Sequence, residues 1–102
     1  MMGEEAHVPL VYVIETAGGS SSVEPHVIEA QPKQEIRWRM TSKGTARIVF
    51  LDPQAVQFQQ DFAAPGSDAV ANAMATGIHN HMICVWVGQQ APHAVRAVLI
   101  VE

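Results

Sequence analysis

Cysteine, aromatic residues and positive charge are all scarce in this 102-residue sequence, and each scarcity excludes something. The single cysteine, Cys84, cannot form an internal disulfide or a structural zinc site of the multi-cysteine kind. Six Lys+Arg against ten Asp+Glu give a net charge of −4 and no basic patch, which argues against nucleic-acid binding. Six residues are aromatic and fourteen are alanine, so the core has to be built largely from small and branched side chains. Long apolar runs are missing too. The stretch from Phe62 to His81 is broken by Pro65, Gly66, Asp68 and Asn72 and cannot form a membrane helix. The opening residues carry Glu4 and Glu5 where a secretory signal has a basic start and an apolar run. They read as a flexible tail over 1–7, and the chain as it stands is expected in the cytoplasm, or in the periplasm if it is a mature form.

What is present reads as one domain over 1–102, with no linker, repeat or low-complexity tract. Val8 to Glu15 is rich in β-branched residues and predicts a strand. Val27 to Ala30 predicts a short one. Glu35 to Met40 alternates cleanly, with Ile36, Trp38 and Met40 on one face and Glu35, Arg37 and Arg39 on the other. Ala46 to Leu51, Ile78 to Val87 and Val95 to Val101 complete the obvious strands. Ala17 to Ser22 is expected as a surface loop, and Gln54 to Gly66 as a loop-rich middle with Val56 and Phe58 packed inward. Ser67 to Thr76 is open between strand and a short helix: Ser67 can cap, Gly77 can terminate, and alanines favour a helix, against a β context on both sides. Seven or eight short strands predict an all-β fold, an antiparallel Greek-key sandwich.

The C-terminal half resembles the cupredoxins, the blue-copper β-sandwich family. The residues that carry the likeness are Pro65-Gly66, then Gly77-Ile78-His79-Asn80-His81-Met82-Ile83-Cys84, with Gln34-Glu35-Ile36-Arg37-Trp38 as the strand with an inward tryptophan. The resemblance implies a cupredoxin-like sandwich from Val8 to Val101, with copper as the family's metal and electron transfer as its work. The family's ligand set does not carry over. Ala46 to Leu51 has no histidine, His93 comes nine residues after Cys84, and no methionine follows Cys84. Counted from Gly77, the family's cysteine position falls on Ile83, so Cys84 is one residue late, and a one-residue offset turns a strand side chain to the other face.

His79-x-His81 remains. Residues two apart on a strand share a face, a spacing that lets two imidazoles grip one metal ion such as copper or zinc, and His93 on the next strand or its preceding turn would join them. Cys84 can add a thiolate or be an inert buried side chain. The bland alternative puts His79 and His81 where the family keeps two aromatics. If Ile83, Val85 and Val87 face inward, then Met82, Cys84 and Trp86 face outward as an apolar stripe, covered either by Gln54 to Gly66 or by a partner. No nucleophile elbow or phosphate loop supports catalysis, so enzyme activity is not expected. The first expectation is a non-enzymatic binding module with a metal ion or small ligand at His79, His81, His93 and Cys84. The alternative is a structural or oligomer-forming domain, a homo-oligomer or a protein partner meeting Met82 and Trp86. The third is a small copper electron-transfer protein.

Overall fold

The computed structural model describes residues 8–102; the tail expected over 1–7 lies outside them. Ten strands follow one another: β1 (Leu10–Ala17), β2 (Ser20–Glu24), β3 (Val27–Ala30), β4 (Glu35–Met40), β5 (Thr45–Phe50), β6 (Val56–Gln60), β7 (Phe62–Ala63), β8 (Ala69–Ala73), β9 (Gly77–Trp86) and β10 (His93–Val101). They form two five-stranded sheets, ordered β2-β1-β4-β8-β6 and β3-β10-β9-β5-β7. The two sheets enclose one apolar core led by Trp38, Tyr12, Ile14, Ile36, Ile83 and Leu99.

The sandwich is all-β, as expected, but not antiparallel throughout. β1 runs parallel to β4 and β3 parallel to β10. The cause is the path of the chain, which changes sheet at every connection from β2 to β9. Each return to a sheet therefore arrives by a crossover rather than a hairpin, and a crossover permits parallel pairing.

Three segments differ from the sequence expectation. The expected loop at Ala17 to Ser22 shrinks to a two-residue turn, because Gly18 (φ 59°) and Gly19 (φ 86°) both take the positive φ that tight hairpins need. Serines then continue as β2, an edge strand in which Val23 is the only fully buried side chain. The segment Ser67 to Thr76 contains no helix; its centre is β8, with Ala69, Ala71 and Ala73 wholly buried. β8 lies between β4 and β6, and Ala69 is in register with Trp38 and Ala71 with Ile36. A small side chain beside a large one fills the layer, so packing overrides the helical preference of alanine. The expected loop Gln54 to Gly66 forms β6 and β7, one edge strand for each sheet, with Val56 and Phe58 packed inward as expected.

Gly44, between β4 and β5, occupies the tightest position. Its φ is +119°, and a Cβ there would lie 2.7 Å from the Trp86 carbonyl oxygen and 3.1 Å from Val87 Cγ2. Gly18 has open space around it. Gly44→Ala should therefore cost roughly 2–3 kcal/mol, strain and clash together, whereas Gly18→Ala should cost about 1 kcal/mol from φ alone. Urea unfolding of both variants checks the order; equal losses would contradict it.

Candidate functional site

β9 determines what the expected site residues can do. Its alternation sends His79, His81, Ile83 and Val85 into the core and Asn80, Met82, Cys84 and Trp86 to the outer face. His79 and His81 thus share a face, but each ring is already engaged. His79 Nε2 lies 2.8 Å from the Ala75 carbonyl oxygen. The Trp38 indole N–H donates to His81 Nε2 at 3.2 Å. His93 opens β10 opposite Val85, whereas His81 lies opposite Ala97, about 13 Å further along. Its Nε2 meets Ser21 Oγ at 2.5 Å, a link between the sheets at one end of the sandwich. Cys84 points away from all three, between Arg47 on β5 and Ala94 on β10. Among the described residues, no group of three or more His, Cys, Asp or Glu stands close enough to hold a metal ion.

His81 is the most unusual of these groups. It is 1% exposed, stacked on Phe50 (4.3 Å between ring centres) and edge-on to Tyr12 and Trp38. An indole N–H can only donate, so Nε2 accepts and the neutral ring carries its proton on Nδ1. Nδ1 is buried and has no hydrogen-bond partner. Burial pushes the imidazole down to about 4, with the His79 backbone pulling weakly the other way. The Tyr12 phenol beside it is likewise held above its ordinary range by burial, while donating to the Val98 carbonyl oxygen at 2.5 Å.

The two outer faces of the sandwich differ in character. On the first sheet, Arg39 and Arg37 both reach Asp68, at 2.9 and 3.4 Å, and Arg37 also meets Glu35 at 2.6 Å. The hydrogen bond from Arg39, with help from Arg37, holds the Asp68 carboxyl below its usual range. Sequence alone placed both arginines outward but missed Asp68 as their partner. Beside this network lies an open groove of about 670 Å³ along β1 and β2, lined by Val11, Val13, Glu15, Glu24 and His26 among others.

The second sheet presents Trp86 (40% exposed), Val49 (45%), Phe62 (51%) and Ile78 (70%) to the outside, together with half-buried Met82 and Cys84. The outward charges on its strands are Glu29, Arg47 and Arg96, and Asp61 beside β7 pairs with Arg47. The stripe of Met82, Cys84 and Trp86 is where the alternation put it. The covering loop is not, because Gln54 to Gly66 is spent on the edge strands.

No family model matches the sequence, and no curated protein matches it. Among solved structures, an amicyanin mutant in its reduced Cu(I) form is similar with a TM-score of 0.61 and 11% identity, covering 97% of this chain and 87% of its own. A second amicyanin mutant, oxidised, gives a TM-score of 0.57 at 10% identity over 88% of this chain and 80% of its own. Oxidised plastocyanin from Dryopteris crassirhizoma gives 0.57 at 12% identity over 88% of this chain and 99% of its own. The likeness shows the fold, a cupredoxin-like sandwich.

The buried neutral His81 sets a pH dependence. Its value in the folded chain, about 4, lies below the ordinary 6.5 of the unfolded chain, so the folded state excludes a proton that the unfolded state accepts. Stability should be full above pH ~6.5 and fall as the pH drops toward ~4, by about 3 kcal/mol in all. His81→Phe should remove this acid limb while costing about 1–2 kcal/mol at neutral pH, because the Trp38 N–H loses its acceptor. Denaturant midpoints from pH 4 to 8 check both; an unchanged acid limb in the variant would show that other groups cause it.

Proposed function

We propose that this chain is a non-enzymatic binding module on a cupredoxin-like frame, working through the outer face of its second sheet rather than through bound copper. The observation that carries the reading is the contrast between the two outer faces. One is charged and satisfies its own arginines through Asp68 and Glu35. The other exposes Trp86, Val49, Phe62 and Ile78 around Met82 and Cys84. A sandwich needs only its inner faces for a core, and large apolar side chains exposed on an outer face, with Arg47 and Arg96 among them, mark an interaction site.

One solved neighbour is an amicyanin mutant in its Cu(I) form. A type 1 centre needs one thiolate and two imidazoles converging on a point. Here Cys84 and the pair His79 and His81 project to opposite sides of β9, and His93 lies far along β10. All three imidazoles have partners within the chain. The donor set does not fit such a centre, which supports a copper-free role. The same geometry weighs against a joint site at His79, His81 and His93, since a metal there would have to displace the Trp38 and Ala75 bonds.

Two measurements test the reading. Titration with Cu²⁺ should give no intense visible thiolate–copper band, and a strong one would restore the electron-transfer role. At a dilution where the chain is a single copy, Met82→Gln and Trp86→Gln should each change stability by less than about 1 kcal/mol, as surface positions do. A loss of several kcal/mol would mean that the face serves folding rather than binding.

A further inference from the structure

The apolar face carries both a projection and a hollow. Trp86 stands at the end of β9, 40% exposed. A depression of about 440 Å³, lined by Leu51, Asn80, His81, Met82 and Arg96, opens on the same sheet. Along β9 the two are about five residues apart, roughly 17 Å. A two-fold axis lying in the plane of the face and crossing β9 midway, beside Cys84, would bring each indole over the other copy's hollow. An isologous interface requires this property, in which one surface holds both halves of the contact.

We propose that the partner of this face is a second copy of the chain, docked about that axis with Trp86 of each copy seated in the hollow of the other. This rests on the reading of the face as a binding surface and names its occupant. Charge supports it. Arg96 rims the hollow and forms no ion pair among the described residues, so it is free to lie against the incoming indole, a cation–π contact. Arg47, on the row of Cys84, comes near its symmetry mate, and its own pair with Asp61 at 3.2 Å offsets that repulsion. Size sets its strength. Strands of four, nine, ten, six and two residues, each residue covering about 3.3 Å by 4.8 Å, give a face of about 500 Å² in projection. That is below the ~800 Å² per partner of a standard interface and fits a weak pairing that dissociates on dilution.

Light scattering on a sizing column, over a concentration series, reads the result. The wild-type chain should run at twice its single-chain mass and dissociate on dilution. Trp86→Glu should run at the single-chain mass with an unchanged circular dichroism spectrum, and Trp86→Gln should behave in the same way if the charge disturbs folding. Arg96→Glu should weaken self-association about tenfold, and Val13→Glu on the opposite sheet should leave it intact. With sheets about 10 Å apart, a short bis-maleimide should join the two Cys84 thiols in the wild type and not in Trp86→Glu. A dimer that survives both Trp86 variants, or that fails to cross-link, overturns this docking. A wild type of single-chain mass at every concentration overturns self-pairing. If that monomer binds the apolar dye ANS and Trp86→Glu abolishes the binding, the binding face itself stands; without dye binding, both readings fall.

Discussion

Trp38 is the side chain on which the two sheets meet. It comes from the central strand of the first sheet, stacks on Tyr12 beside it, and presents its ring to Phe50 and His81 of the second sheet and to Phe58. Its one polar atom finds an acceptor in His81. Much of the rest is arranged around it. Ala69 of β8 lies in register with it, a small side chain beside the large one. The imidazole of His81 is neutral because it is buried against this cluster and an N–H already occupies its lone pair. A histidine in such a place is a hydrogen-bond acceptor first, and a metal ligand only at the cost of the indole's partner.

The strict alternation of β9 has a second effect, since it divides the chemistry of one strand between two environments. Imidazoles go to the dry side and sulfur to the wet side. The imidazoles and the thiol are held apart by the sheet itself. What reaches the outside is a mostly apolar surface with Arg47 and Arg96 beside its central strand, set against a far face that has closed its charges on one another.

Much of the frame was legible in the sequence because period-two alternation and β-branched runs report directly on which side of a strand is buried. Val27–Ala30 and Glu35–Met40 follow that pattern, and their bounds are those expected. The inward Trp38 and the outward Met82, Cys84 and Trp86 followed from the same count. Elements whose residue types serve a neighbour rather than themselves were hidden. β2 is mostly serine because an edge strand needs few apolar side chains, and the inward residues of β8 are alanine where two of them lie beside Trp38 and Ile36. The partnering of the histidines was hidden for a related reason. The Ala75 carbonyl, the Trp38 indole and the Ser21 hydroxyl are brought to them by the fold, and no local spacing announces it.

The crossovers between sheets also bear on the order in which this chain can acquire its structure. β3 has a single neighbour in its sheet, and that neighbour is β10, the last strand. Val27 therefore waits for Val98 before it has a pairing partner at all. During synthesis the N-terminal half emerges with an unmatched edge, and no partial chain short of β10 can close the second sheet. Folding is thereby tied to the arrival of β10, with the slow rates and the exposure of strand edges that such long-range pairing brings.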